Sequence, residues 1–176
     1  MTLESDMPAR FMSQTVAAAP DWHAVYAEQL PRVYNFFRYR FRDETLAEDL
    51  TATTFEKAWR ARERYREDLA GFATWLLAIA RNVAVDHVRA RREHAPLEEA
   101  EDVSAPGTPE ENNARASDAE RLRVLLALLP ERDRELVALK YGAGATNRAI
   151  AKLTGLSESN VGTIVHRVVQ ALRRDW

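Results

Sequence analysis

Asn160, Thr163 and Arg167 stand at i, i+3 and i+7 in the stretch SESNVGTIVHR, with Ser159 and His166 beside them. On a helix this spacing lines side chains along one face. Asn and Arg can form paired hydrogen bonds with adenine and guanine edges. A helix presenting them from its first turns is therefore suited to reading duplex DNA in a major groove. A second set of residues carries different chemistry. Arg81, Asn82, Arg89, Arg91 and Arg92 crowd the later half of FATWLLAIARNVAVDHVRARR, and the connection before it, YREDLAGF, has an aromatic residue at each end. Guanidinium groups hold phosphates and rings stack on unpaired bases, as a single-strand surface requires. Arginines at the end of a helix also complement its dipole, so spacing alone leaves both readings open.

No catalytic constellation accompanies these sets. His23, His87, His94 and His166 lack metal-ligand spacing, and YGAGAT has no Lys-Ser/Thr ending to make a phosphate loop. The adjacent Glu48 and Asp49 read as solvated or interface charges rather than an acid/base pair. The expectation is a protein that is not an enzyme and uses neither metal nor cofactor. The sequence has no cysteine, which excludes disulfides and thiolate sites and fits a reducing cytoplasm. Its start lacks the basic flank and apolar run of a signal peptide, and no later stretch approaches membrane-spanning length. A soluble cytoplasmic protein without membrane insertion is expected.

The elements that must position the two sets are all helical. Thr146 can cap a short helix to Leu153, Gly155 supplies a tight turn, and Ser157 caps a longer helix to about Arg174. Ala151, Gly155, Val161 and Ile164 are the small, turning and apolar positions that let two helices cross closely, which makes this unit a helix-turn-helix. Upstream, LPERDRELVALKYG places Pro130 where a first helical turn tolerates it and Gly142 where a left-handed residue could stop a helix. Nearer the N-terminus, Tyr26, Leu30, Val33, Tyr34, Phe37 and Phe41 recur at helical spacing, with Pro31 either opening a helix or kinking a longer one. Asp43 can cap a second helix whose apolar stripe is Leu46, Leu50, Thr54, Phe55, Ala58 and Trp59. A third carries Phe72, Trp75, Leu76, Ile79 and Val83 on one face. The fold expected is all-α, a three-helix N-terminal bundle followed by a helix-turn-helix domain.

Charge divides the 176-residue chain in the same way. Its net charge of −2 conceals a neutral part to Glu93, with 14 Lys+Arg against 14 Asp+Glu, an acidic part from His94 to Glu120, with one against eight, and a basic part from Arg121, with ten against five. The acidic part holds Pro96, Pro106 and Pro109 and almost no large apolar side chain, so it reads as a linker. Its carboxylates could also screen the basic domain at short range. The boundaries expected are a flexible tail over 1–20, a domain over 21–93, a linker over 94–117 and a domain over 118–176.

In order, AEDLTATTFEKAW, FATWLLAIARNVAVDHVRARR and LPERDRELVALKYGAGATNRAIAKLTGLSESNVGTIVHRVVQALRR resemble, over residues 22 to 174, a bacterial extracytoplasmic-function (ECF) sigma factor of RNA polymerase, in the sigma-70 family. The resemblance implies that 21–93 is a region 2-like domain that binds core polymerase and recognises and melts the minus-ten element. It implies that 118–176 is a region 4-like domain that reads the minus-thirty-five element and touches the polymerase flap. Glu48, Asp49, Leu50, Phe55 and Trp59 would meet the polymerase clamp helices. Tyr65, Arg66, Phe72, Trp75, Arg81, Asn82, Arg89 and Arg92 would meet the minus-ten element. Ser157, Ser159, Asn160, Thr163, His166 and Arg167 would meet the minus-thirty-five element. An anti-sigma factor and a stress or envelope-response regulon belong to the same implication. The chain departs from the family at Ala52 and Thr53, where Gln and Glu are frequent, and at Gly162 and Ile164, commonly basic. The residues by themselves leave a rival, a helix-turn-helix repressor or activator acting as a dimer on half-sites about one helical turn apart.

Overall fold

The computed structural model describes residues 22–94 and 118–176. The expected tail and the acidic linker, with its screening role, lie outside the described residues. Among the described residues the fold is all-helical.

Helix α1 (Trp22–Phe41) contains Pro31 in its interior, so the proline neither opens it nor ends it. Its missing N–H deprives the Ala27 carbonyl of a helical donor. Arg42 follows with φ 63, a left-handed residue that lets the chain reverse, and its N–H reaches the Arg38 carbonyl at 2.9 Å. Asp43 then caps α2 (Glu44–Arg60), accepting from the Leu46 N–H at 2.9 Å. The buried Thr51 and Thr54 hydroxyls donate to the Ala47 and Leu50 carbonyls one turn back, so neither is left unpaired in the core. A short 3-10 turn (Arg62–Arg64) and a loop lead to α3 (Phe72–His94). Val33, Phe37, Leu50, Phe55, Leu76 and Val83 are buried within this bundle.

The C-terminal half begins with α4 (Asp118–Leu128) and α5 (Glu131–Val137), the latter opened by Pro130 at its N-cap. Arg134 of α5 donates to the Leu126, Ala127 and Leu129 carbonyls at 2.9, 3.0 and 2.7 Å. It thereby satisfies the open end of α4. Helix α5 runs on into a π-helical turn, Ala138–Gly142. Gly142 is not the left-handed stop expected of it; Gly144, at φ 64, takes that conformation. Gly142 is small for another reason. A Cβ there would lie 2.8 Å from the Asn35 carbonyl oxygen and 3.2 Å from the Phe36 nitrogen of α1. Helices α6 (Asn147–Thr154) and α7 (Glu158–Asp175) follow, with Gly155 left-handed at φ 77 between them.

That close approach reflects how the halves are packed. Phe36 is fully buried, although it falls off the single apolar stripe that the sequence suggests for α1. Because Phe36 and Phe37 are both inward, α1 is covered on two sides, and the buried side chains of both halves join in one cluster that includes Phe36, Leu136 and Leu139. Arg32 strengthens the seam by donating to the Ala143 carbonyl at 2.8 Å and the Gly144 carbonyl at 3.4 Å. No helix of the described residues is long and apolar enough to cross a membrane.

Candidate nucleic-acid interface

The turn between α6 and α7 is built by local hydrogen bonds. Thr146 accepts from the Ala149 N–H at 3.1 Å, and Ser157 accepts from the Asn160 N–H at 3.2 Å. Ile150, Val161, Ile164, Val165 and Val168 are buried beneath the two helices, so Ile164 is a core residue and not a position from which a basic side chain could reach outward. Gly162 faces α6, where a Cβ would sit 3.3 Å from the Asn147 side chain. With the apolar face fixed inward, Ser157, Ser159, Asn160, Thr163, His166 and Arg167 all lie exposed on the other side. Ser157 is committed to its cap, and the Thr163 hydroxyl donates to the Ser159 carbonyl at 3.1 Å. Arg167 is held by Asp133 of α5 at 3.1 Å. The face that remains has the donors and acceptors for base edges, at the capped end of a helix.

The second set gathers along α3 and the loop before it. Tyr65, Phe72 and Trp75 form a half-buried ring cluster with all three centroid separations at 5.3 Å. Trp22 extends it by edge contacts to Phe72 at 5.7 Å and Trp59 at 5.3 Å. Burial, with Glu67 nearby, raises the pKa of the Tyr65 hydroxyl. Arg66 forms a two-pronged pair with Asp68 of its own loop, at 2.9 and 2.8 Å. Asn82 is exposed, and Arg89 pairs with Glu93 at 3.1 Å.

Arg81 and Arg92 are engaged differently. Arg81 donates from Nε to Glu135 at 3.1 Å, and Arg92 reaches Glu131 at 3.3 Å. Both carboxylates belong to α5 of the other half. They share a further partner, Arg40 of α1, which is 5% exposed; it pairs with Glu135 and reaches Glu131 at 3.4 Å. The cluster carries excess positive charge. Burial first, then neighbouring guanidinium groups, lowers the pKa of Arg42 and Arg134 at its edge. Sequence reasoning missed Arg40, Glu131 and Glu135. Their signal was the alternating charge of ERDRE, which looks like an ordinary solvated helix face unless the facing arginines are known.

Of the set placed on α2, Glu48 and Asp49 are exposed and Trp59 is half exposed, with the Arg62 guanidinium 4.3 Å above its ring. Leu50 and Phe55 are core residues of the bundle. They can position that surface, and Glu48, Asp49 and Trp59 are the three of the set with side chains open to solvent. Thr53 is occupied with the Asp49 carbonyl at 2.9 Å.

Residues 25–94 match the sigma-70 region 2 family and residues 119–172 match sigma-70 region 4. The RNA polymerase sigma factor CarQ of Myxococcus xanthus is 32% identical over 85% of this chain and 85% of its own. The chain belongs to the sigma-70 family, as an ECF sigma factor. Two other relatives agree. The ECF RNA polymerase sigma factor SigL of Mycobacterium tuberculosis is 28% identical over 94% of each chain. The ECF RNA polymerase sigma factor BldN of Streptomyces coelicolor is 29% identical over 85% of this chain, which spans 58% of BldN. The fold matches sigma factor RpoE in its complex with the anti-sigma factor NepR from Bartonella quintana, with a TM-score of 0.72 at 22% identity over 88% of this chain and 96% of that one. It also matches CnrH in complex with the cytosolic domain of CnrY, with a TM-score of 0.58 at 22% identity over 87% and 83% of the two chains. As a sigma factor the protein serves promoter-directed transcription initiation.

Proposed function

We propose that this sigma factor divides promoter recognition between its halves, with residues 21–93 holding the melted minus-ten element and residues 118–176 reading the duplex minus-thirty-five element, tethered by 94–117. The observation that carries the reading is the outward face of α7, where Ser159, Asn160, Thr163, His166 and Arg167 are exposed together behind a serine cap. Asn160 and Arg167 read base edges, and Arg173 and Arg174, further along, hold phosphate or the neighbouring domain. On the first half, Arg81, Asn82, Arg89 and Arg92 hold the single-strand backbone while the rings of Tyr65, Phe72 and Trp75 receive unpaired bases. Glu48, Asp49 and Trp59 bind the polymerase clamp helices, and the C-terminal half meets the flap. The protein acts in the cytoplasm, performs no chemistry of its own, and serves a stress or envelope-response regulon under an anti-sigma factor. A solved structure of this fold, the RpoE complex, includes an anti-sigma factor.

Size-exclusion chromatography with purified core polymerase tests the reading. The chain is expected to co-elute with core, and Trp59→Ala with Asp49→Ala is expected to weaken that association. Failure to join core, together with dimeric binding to a two-half-site duplex, would replace it with the repressor reading.

A further inference from the structure

Arg167 is set apart from the other arginines of α7. Arg174 meets its own neighbour Asp175, at 3.7 Å, whereas Arg167 is tied across to Asp133 of α5, with Nη2 donating to Oδ2 at 3.1 Å. The partners differ in burial: the Arg167 side chain is 68% exposed and that of Asp133 is 15% exposed. Asp133 is also carried by a fixed element. The next residue, Arg134, donates to three carbonyls at the end of α4, and Leu136 and Val137 are buried beneath it. The carboxylate itself lies in the first turn of α5, where the helix dipole favours it. A mostly covered carboxylate on a pinned helix therefore holds one side of an exposed guanidinium, unlike a surface pair in which both side chains are free.

The contact uses one N–H of the guanidinium fork, and among the described residues no other acceptor takes the rest. A two-pronged edge stays available for a guanine. Arg167 lies about 13 Å beyond the start of α7. From there a freely rotating side chain of its length would sample base edges, phosphates and its own helix. The Asp133 contact removes most of that choice before DNA arrives, so the ordering is not left to be done on binding. It also offsets part of the positive charge, which favours the neutral acceptors of a base over phosphate.

We infer that Asp133 is a positioning residue for promoter recognition, which aims the Arg167 guanidinium at a base edge and so sets which minus-thirty-five position that arginine reads. It acts through Arg167 and not on DNA directly. The inference rests on the reading of Arg167 as a base-contacting residue.

Holoenzymes of core polymerase with the full chain test it on a template library randomised across the minus-thirty-five element. Arg167→Ala marks the promoter position that depends on the arginine. Asp133→Ala is expected to flatten preference at that same position by about three- to tenfold, the scale on which one long side chain is ordered. Added to Arg167→Ala, it is expected to change preference by less than about twofold, because its effect passes through the arginine. Asp133→Asn keeps the shape and an uncharged acceptor, so it should flatten the same position by a smaller factor, and it carries the test if circular dichroism shows that Asp133→Ala does not fold. A purely structural role would lower output on all templates alike, and preference left unmoved in that way overturns the inference. So does a shift confined to other positions, or one that persists undiminished without Arg167. Higher output on every sequence with the same preference would make Asp133 a general repulsion toward DNA and overturns it as well. If Arg167→Ala alone alters preference nowhere, the base-contacting role of Arg167 is lost and the inference falls with it, a result seen before any Asp133 variant is compared.

Discussion

Helices α3 and α7 carry the two arginine-bearing faces suited to DNA, and they present them in opposite ways. On α7 the side chains proposed to read bases point to solvent, and Arg167 is 68% exposed in its pair with Asp133, so DNA can reach it without moving another element. On α3, Arg81 is half-buried against the buried Glu135 of the other half, while Arg92 and Glu131 form an exposed pair. A duplex reader works on DNA that is already in its binding form, whereas a strand holder acts only after melting. The molecule leaves the first face open and keeps part of the second covered.

The largest effect should come from a residue on which both faces depend. Phe36 is fully buried and joins the cluster common to the two halves. Phe36→Ala should therefore cost about 3–5 kcal/mol in urea denaturation, with both halves losing stability in one transition. Two separate transitions would mean that the halves are energetically independent and that the contrast between them needs another basis.

A smaller and more selective effect is expected on α7. Asn160→Ala and Arg167→Ala should each cost about 1–3 kcal/mol at one or two promoter positions, read by holoenzyme activity on a library randomised across the minus-thirty-five element. Stability should change by less than about 1 kcal/mol, since Arg167 itself is 68% exposed. Arg173→Ala should instead weaken all sequences alike and reduce the log-log salt slope by about one. A change in preferred sequence with Arg173→Ala alone would mean that α7 lies differently in the groove.

The smallest effect concerns the packing beneath the α3 face. His87 lies against Phe41 with its Nε2 unpaired, and burial, then Arg91, holds its pKa below the ordinary histidine value. The unfolded chain thus takes up a proton first as pH falls through about 6.5, and stability drops from that point until the folded pKa is passed. His87→Gln should flatten this part of the stability profile, and a slope identical to that of the unaltered protein would assign it elsewhere.

Much of this was legible in the sequence because it depends on local rules. Asp43, Thr146 and Ser157 cap as their types suggest, and Gly155 turns left-handed where the helix-turn-helix needs it. The exposed polar face of α7 follows from the same periodicity that buries Val161, Ile164 and Val168. The seam was not legible. Local pattern gave Gly142 a role as a helix stop, whereas its size is demanded by Asn35, more than a hundred residues away in the chain. Phe36 looked like an excursion from a stripe because the stripe has a second face that only the other domain covers. Trp75 falls on the apolar face of the third helix in the sequence, yet it lies half-buried in a ring cluster. Its truncation should cost less than the ~3–5 kcal/mol of a fully buried aromatic.

Run-off transcription by core polymerase, with and without this protein, tests the central claim most directly when templates are drawn from a promoter library. The account predicts RNA from a restricted promoter set only when the protein is present, with the set shifted by Asn160→Ala and its opening impaired by Arg81→Ala. Equal output with and without the protein would contradict it.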